Sequence, residues 1–192
     1  MNVYDFDGTI YDGDSSIDFY LFCIKKKPSI FWKHILIQLP AAVLFKIRLL
    51  PRRRFKEIYF RFLNDISVDG KLLDEFWDEK YACIKEWYLK QKQPDDVIIS
   101  ASPEFLLHPV CKRLNVSLIA SQVNASTGRF EGENCRGEEK VRRFRERFPD
   151  SAIDGFYTDS SADMPLMRIA EKAFYVKGEN IYRFRFDEES KG

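Results

Sequence analysis

Asp5-Phe6-Asp7-Gly8-Thr9 follows the short run Asn2-Val3-Tyr4 near the start of a 192-residue chain. The run reads as a strand, Asn2 to Phe6. Residues i and i+2 of a strand point to the same side, and Gly8 lets the backbone turn tightly as the strand ends. Asp5 and Asp7 are therefore expected to face one pocket. Two carboxylates so placed can hold a divalent cation, and one can serve as a nucleophile while the other moves a proton. A calcium loop would need Gly at its sixth position and Glu at its twelfth. Counted from Asp5 these are Ile10 and Ser16, so that pattern is not met.

The rest of the chain supplies the sheet to which this strand belongs. After the turn Gln93-Pro94-Asp95-Asp96, strands and helices alternate. Val97-Ile98-Ile99 is a β-branched run leading into Ser100, and Pro103 to Leu114 follows as a helix. Ser117 to Ala120 reads as a strand, Val123 to Glu133 as a small hairpin, and Glu138 to Arg147 as a charged helix. Ile153 to Thr158 is a strand ending at Asp159. A helix over Pro165 to Glu171, a strand over Ala173 to Val176 and an edge strand over Ile181 to Phe186 complete the pattern. Alternation of this kind implies an α/β fold, a doubly wound parallel sheet with helices on both faces. Ligands of such sheets bind beyond the carboxyl ends of the strands. Asp5, Ser100 and Asp159 each lie at such an end, so three polar positions from distant sequence converge on one rim.

Between the first strand and the second, Asp14 to Gln93 reads as helical, with breaks near Pro28, Pro40, Pro51 and Gly70. Asp14-Ser15-Ser16 opens the first helix, whose apolar face is expected at Ile17, Tyr20, Leu21 and Ile24. Arg53 to Leu63 and Leu72 to Gln91 read as amphipathic helices. The expected division is an α/β core of residues 1–13 plus 94–192, with a helical segment of residues 14–93 inserted in it.

Composition narrows the class. Hydrophobic content of 45% and charged content of 32% suit a globular protein with one substantial core. Cys23, Cys83, Cys111 and Cys135 are far apart with no Cys-x-x-Cys, and the N-terminus lacks a basic-then-apolar signal pattern. The expectation is reduced thiols in a cytoplasmic protein. His34 and His108 are isolated and read as a surface and a helix residue rather than ligands. Net charge is +1, but from Phe19 to Phe62 eleven basic residues face Glu57 alone, a net +10. That asymmetry suggests an anionic partner for the segment.

The motifs Asp5-Phe6-Asp7-Gly8-Thr9, Ser100 in Ile99-Ser100-Ala101-Ser102, Lys140 in Gly137-Glu138-Glu139-Lys140, and Asp159-Ser160-Ser161-Ala162-Asp163 occur in this order across nearly the whole chain. They resemble the haloacid dehalogenase superfamily, in its phosphoserine-phosphatase-like branch, where a helical cap occupies the segment between the first two motifs. The resemblance implies a Rossmannoid core and a Mg2+-dependent phosphomonoester hydrolase. Asp5 would attack phosphorus and form an aspartyl-phosphate, and Asp7 would be the acid and base. Asp5, Asp159 and the Asp7 backbone carbonyl would be metal ligands. Ser100 and Lys140 would hold the phosphoryl oxygens, with Thr9 and Ala101 among the substrate-binding positions. Asp163 would lie behind the ligands and orient a metal-bound water or Lys140.

Other roles compete for several of these residues. Ser102 is the lesser candidate for the role of Ser100, since it precedes Pro103 and suits a helix cap. Lys140 shares its helix with Arg142, Arg143, Arg145 and Arg147, a pattern of solvated charge. Asp163 suits a cap of the following helix. Asp12 and Asp14 suit a turn and a cap, with Asp14 also near the cleft. Thr158 stands where many relatives carry Gly, and its branched side chain is expected to narrow the metal pocket.

A narrower resemblance runs through Leu118 to Val123, Gly137 to Val141, and Tyr157 to Ser160 with Asp163, Pro165 and Leu166. These stretches are similar to the bacterial phosphatidylglycerophosphatase C family, which implies a lipid-linked substrate. The stretch His34 to Phe45 contains Gln38 and Pro40 and falls short of about 20 apolar residues, so it is not expected to span a membrane. A basic, apolar segment can instead lie at an anionic surface, here the inner face of the membrane, or pack the cap's own core. The partners expected are a phosphorylated small-molecule or lipid substrate, with peripheral contact to anionic membrane and no nucleic acid. The alternatives are a phosphatase of a small soluble monoester, such as phosphoserine, and a catalytically silent binding module.

Overall fold

β1 (Asn2–Tyr4) lies in the interior of the sheet, with β2 (Val97–Pro103) parallel on one side and β4 (Ile153–Thr158) parallel on the other. β3 (Ser117–Ser121) and β5 (Ala170–Lys177) extend the sheet in parallel, and β6 (Asn180–Phe184) closes one edge antiparallel. The order is β3-β2-β1-β4-β5-β6. This computed structural model describes residues 1–186; residues 187–192 of the expected core segment lie outside that range.

Alternation along the central strands feeds two cores. Val3, Val97 and Ile99 point to one face, and Tyr4 and Ile98 to the other. A strand buried on both faces has no polar side to show, so it reads as a continuous apolar run. On the Val3 face, Phe144 of α7 (Glu138–Arg147) and Leu166 and Met167 of α8 (Met164–Ile169) cover the sheet. On the Tyr4 face, α6 (Glu104–Leu114) contributes Leu106, Leu107 and Val110.

The helical segment between β1 and β2 packs into the same Tyr4-side core. It comprises α1 (Ser15–Lys26), α2 (Ser29–Lys46), α3 (Arg52–Tyr59), a 3-10 turn (Phe60–Asp65), α4 (Gly70–Lys80), a second 3-10 turn (Tyr81–Cys83) and α5 (Glu86–Gln91). Trp77 stacks edge-on against Phe6 and Tyr11, and its indole N–H donates to the Leu106 carbonyl at 2.7 Å. Tyr88 meets Tyr4 edge-on. Aromatic pairs of this kind add stabilisation beyond buried area.

Several expectations are corrected. β1 ends at Tyr4 because the Phe6 carbonyl turns to accept from the Ile10 and Tyr11 amides. α2 runs through Pro40 without a break. Proline removes one bond to the carbonyl four residues back, here that of Leu36 on the exposed side, where water can satisfy it. The expected helix over Leu72 to Gln91 is split: the Cys83 carbonyl accepts from Asp12 and the Lys85 amide donates to Ile10, pulling this stretch into a bridge with the loop after β1. α1 buries Phe19, Tyr20, Phe22 and Cys23, while Leu21 and Ile17 are half-exposed. Phe19 and Phe22 turn it toward Phe76. The helix expected to reach Glu171 stops at Ile169, because Ala170 already pairs with Ile153 of β4. The Val123 to Glu133 hairpin, by contrast, is present in minimal form: the bridge of Val123 to Phe130 is flanked by the Asn124 amide donating to Arg129 and the Glu131 amide donating to Gln122. His34 is buried against Asp65, with 2.6 Å between Nε2 and Oδ2, rather than on the surface.

Candidate active site

Asp5, Asp7, Ser100, Ala101 and Asp159 line one cavity of about 370 Å³ at the carboxyl ends of β1, β2 and β4. Its other wall comes from Asp14, the cap residue of α1, and from α1 and α3 themselves, which contribute Ile17, Arg52, Phe55, Lys56 and Tyr59. Sheet and helical segment therefore enclose the site between them.

The loop after β1 is built around Asp159. Gly8 has φ +71°, and a Cβ there would lie 2.1 Å from Asp159 Oδ2. Glycine is what lets that carboxylate rest against the loop. Thr9 is buried; its hydroxyl accepts from the Asp159 amide at 2.9 Å and lies 3.4 Å from Oδ1. Thr9 holds Asp159 rather than lining the cavity.

Asp7 is bound on both oxygens. The Ser15 amide donates to Oδ1 at 2.6 Å, and the Ser102 hydroxyl donates to Oδ2 at 2.5 Å. Burial raises its pKa, and Asp14 nearby adds to that, while the serine hydrogen bonds oppose it. A carboxyl held above its usual range is suited to carry a proton near neutral pH. Ser102 does not cap α6, whose cap residue Pro103 offers no side-chain bond; its hydroxyl belongs to the cavity. Asp14 does both things expected of it: it caps α1 through the Ser16 and Ile17 amides and lines the cleft.

Lys140 is buried and does not line the cavity. Its ammonium lies 3.0 Å from Asp5 Oδ1 and 2.7 Å from Asp163 Oδ2. Burial works against its charge, but the two carboxylates hold its pKa above the ordinary lysine value. The solvated face suggested by its arginine neighbours is thus realised by Arg142, Arg145 and Arg147, while Lys140 occupies the inward side of α7. Burial raises the Asp5 carboxyl and the Lys140 ammonium pulls it back. Burial likewise raises Asp159. Asp163 also accepts from the Thr158 hydroxyl at 2.9 Å, and that hydroxyl accepts from the Ser160 amide at 3.0 Å. Thr158 supports Asp163 rather than narrowing the cavity. Ser100 is buried, with its hydroxyl oxygen accepting from the Ser102 amide at 3.1 Å.

Sequence reasoning missed three cations here. Lys56 donates to the Ala101 carbonyl at 2.8 Å and to Asn134 at 3.2 Å. Desolvation lowers its pKa to about 8. Arg52 and Arg136 line the same cavity. The i, i+4 spacing of Arg52 and Lys56 was the available signal, since it puts both on one side of α3. Arg136 stands beside the Gly137 motif, and Ser102, the lesser rival of Ser100, lines the cavity as well.

Among the described residues, no three acidic, histidine or cysteine side chains converge into a ready metal cage. Asp5 and Asp159 nevertheless share the cavity. Two carboxylates and a backbone carbonyl are hard oxygen donors, and magnesium keeps several waters, so this set fits that ion. The bare cradle at Gly8 keeps Asp159 within reach of the loop that carries Asp5 and Asp7.

A model of haloacid dehalogenase-like hydrolases matches residues 3–168. Protein CicA of Caulobacter vibrioides (strain NA1000 / CB15N) is 29% identical over 199 residues, covering 94% of this chain and 85% of that protein. A protein with unknown function from Bordetella pertussis Tohama I superposes with a TM-score of 0.74 at 18% identity, covering 90% of this chain and 87% of that one. A phosphoserine phosphohydrolase-like protein from Francisella tularensis subsp. tularensis SCHU S4 superposes at 0.53 with 15% identity, over 90% of this chain and 86% of that one. The two structural likenesses are likenesses of fold.

Proposed function

The chain belongs to the haloacid dehalogenase-like hydrolase family, and on that premise we propose that it is a Mg2+-dependent phosphomonoester hydrolase whose substrate is a lipid-linked phosphate. The observation that carries the phosphatase reading is the division of labour between two carboxyls. Asp5 is paired with a buried ammonium, and Asp7 is bonded by two donors in a setting that raises its pKa.

In this reading an Asp5 oxygen attacks phosphorus as the bond to the leaving oxygen breaks. Asp7 gives its proton to that oxygen. The resulting Asp7 carboxylate then takes a proton from water, which attacks the phosphorus of the aspartyl-phosphate and frees Asp5 and inorganic phosphate. Lys140 and the Ser100 hydroxyl neutralise charge on the phosphoryl oxygens as it shifts. Lys140 donates to Asp163 and lies 3.0 Å from Asp5 Oδ1, so its charge bears on the phosphoryl group from behind the nucleophile. Asp163 and Thr158 position Lys140. Magnesium, held by Asp5, Asp159 and the Asp7 carbonyl, would supply positive charge beside the phosphoryl group.

The substrate class rests on the cations and apolar side chains of the cavity wall. Arg52, Lys56 and Arg136 form no ion pair among the described residues, yet all three line the cavity with Phe55, Tyr59 and Ile17. Unpaired cations beside apolar side chains suit a headgroup carrying a second anion, such as the phosphodiester of phosphatidylglycerophosphate. A cavity of about 370 Å³ suits a headgroup and leaves acyl chains outside.

The test is phosphate release with magnesium from phosphatidylglycerophosphate in micelles, from phosphoserine and from a panel of soluble monoesters. Preference for the lipid supports the substrate class. Turnover confined to soluble esters keeps the phosphatase and replaces the lipid with a small soluble phosphomonoester.

A further inference from the structure

α2 wears its polarity inside out. Its buried residues are Ile30, His34, Gln38 and Ala41. His34 pairs with Asp65, and Gln38 accepts from the Tyr20 hydroxyl and donates to the Tyr59 carbonyl. On the opposite side Trp32, Leu36, Leu39 and Val43 recur at i, i+4, i+7 and i+11, one stripe of a helix. They are 73, 80, 62 and 54% exposed. Exposed Ile47 and Leu49 prolong the stripe past the helix end. A surface helix of a protein surrounded by water places these two sets the other way round. A contiguous exposed apolar stripe marks an interaction site.

Charge identifies the occupant. From Ser29 to Arg54 the chain has six Lys or Arg and no Asp or Glu. Lys46, Arg48, Arg52 and Arg54 are exposed around the end of the stripe. A second copy of the chain seated face to face would bring like charges together. An anionic lipid surface offers both an apolar interior and the opposite charge. Spanning is excluded for this element: no described helix is long and apolar enough to cross a membrane. α2 carries Lys33 and Lys46 within its 18 residues.

We propose that the outward stripe of α2 docks flat on an anionic bilayer, with Trp32, Leu36, Leu39 and Val43 entering the apolar boundary and the flanking cations meeting the headgroups. Docking also says where substrate is met, a link that rests on the phosphatase reading although docking itself does not. α3 is fastened to α2 by the stack of Phe55 on Phe45, 4.6 Å between centroids, and by Arg52 over Phe45. Arg52, Phe55 and Lys56 are also cavity wall. The helix pair that meets the bilayer thus borders the cavity.

The experiment is flotation of the full chain with phosphatidylcholine vesicles, with and without phosphatidylglycerol, at low and high salt. Trp32 emission is followed in parallel, with Trp32→Phe as its control. The parent is expected to float with the anionic vesicles, less so in salt or with neutral ones, and to show a blue shift that Trp32→Phe lacks. Leu36→Glu with Leu39→Glu, at exposed positions where far-UV circular dichroism is expected to match the parent, should weaken apparent binding about tenfold or more, as loss of apolar contact and added repulsion require. Failure of the parent to float on anionic vesicles at low salt overturns the proposal, as does a double variant that floats like the parent. A parent dimer that the double variant abolishes, with no flotation by either, overturns it in favour of a second copy. Vesicle binding is read without turnover, so its failure leaves the phosphatase reading standing, and absence of phosphate release leaves docking standing.

Discussion

The Lys140 ammonium lies 3.0 Å from Asp5 Oδ1, deep between sheet and α7. A buried charge is tolerable only when paired and hydrogen-bonded, and Asp163 completes the pairing at 2.7 Å. The pair thus presents Asp5 with a fixed counter-charge.

Asp163→Asn removes that support while keeping the shape. Phosphatase kcat should fall about 10- to 100-fold, the range for groups that orient catalytic ligands, with a smaller change in KM. Thr158→Val should act in the same direction but more weakly, because only one hydrogen bond to Asp163 is lost. Steady-state kinetics of both variants checks this.

Gly8→Ala should be more damaging than its size suggests. The new Cβ would need the space 2.1 Å from Asp159 Oδ2, at a backbone angle that disfavours any side chain. Asp159 must move, so the magnesium concentration for half-maximal activity should rise and maximal activity should fall. A magnesium titration of parent and variant reads both.

Lys56 should set an alkaline limit. Desolvation brings its pKa from 10.5 down to about 8, so its charge is lost as pH rises through about 8. kcat/KM for an anionic substrate should decline there, and Lys56→Arg should extend the plateau. Stability responds with the opposite sign. Between about 8 and 10.5 the unfolded chain holds the proton that the folded chain has released, so this group makes stability rise with pH. A pH profile of activity beside urea unfolding at the same pH values separates the two.

Trp77→Ala should destabilise the fold by about 3–5 kcal/mol, as expected when a buried aromatic is truncated. Trp77 is fully buried and donates to the Leu106 carbonyl, which the variant leaves without that partner. The urea midpoint should drop with little change in slope.

The sheet was legible because its central strands are buried on both faces. Val97-Ile98-Ile99 announces itself as an apolar run after a turn, Ile153 to Thr158 is marked by Ile153, Phe156 and Tyr157 despite an exposed Asp154, and Asp5, Ser100 and Asp159 follow those apolar residues. What escaped reading depends on contacts between distant segments. The break at Cys83 to Lys85 exists because Ile10 and Asp12 offer backbone partners, and nothing local signals it. Pro40 reads as a helix end, but the carbonyl it orphans lies on an exposed side. Lys140 and its arginine neighbours are alike in type and differ only in which way α7 turns them. In sequence Arg52 and Lys56 belong to a basic segment, and only the seating of α3 over the cavity makes them its wall.

The central claim is that Asp5 is the nucleophile of a magnesium-dependent phosphatase. Phosphate release by parent and Asp5→Asn, with and without magnesium, tests it most directly. The account predicts magnesium-dependent release by the parent and a loss of about a thousandfold or more in Asp5→Asn, as removal of a nucleophile requires. Comparable release by Asp5→Asn, or release indifferent to magnesium, would contradict it.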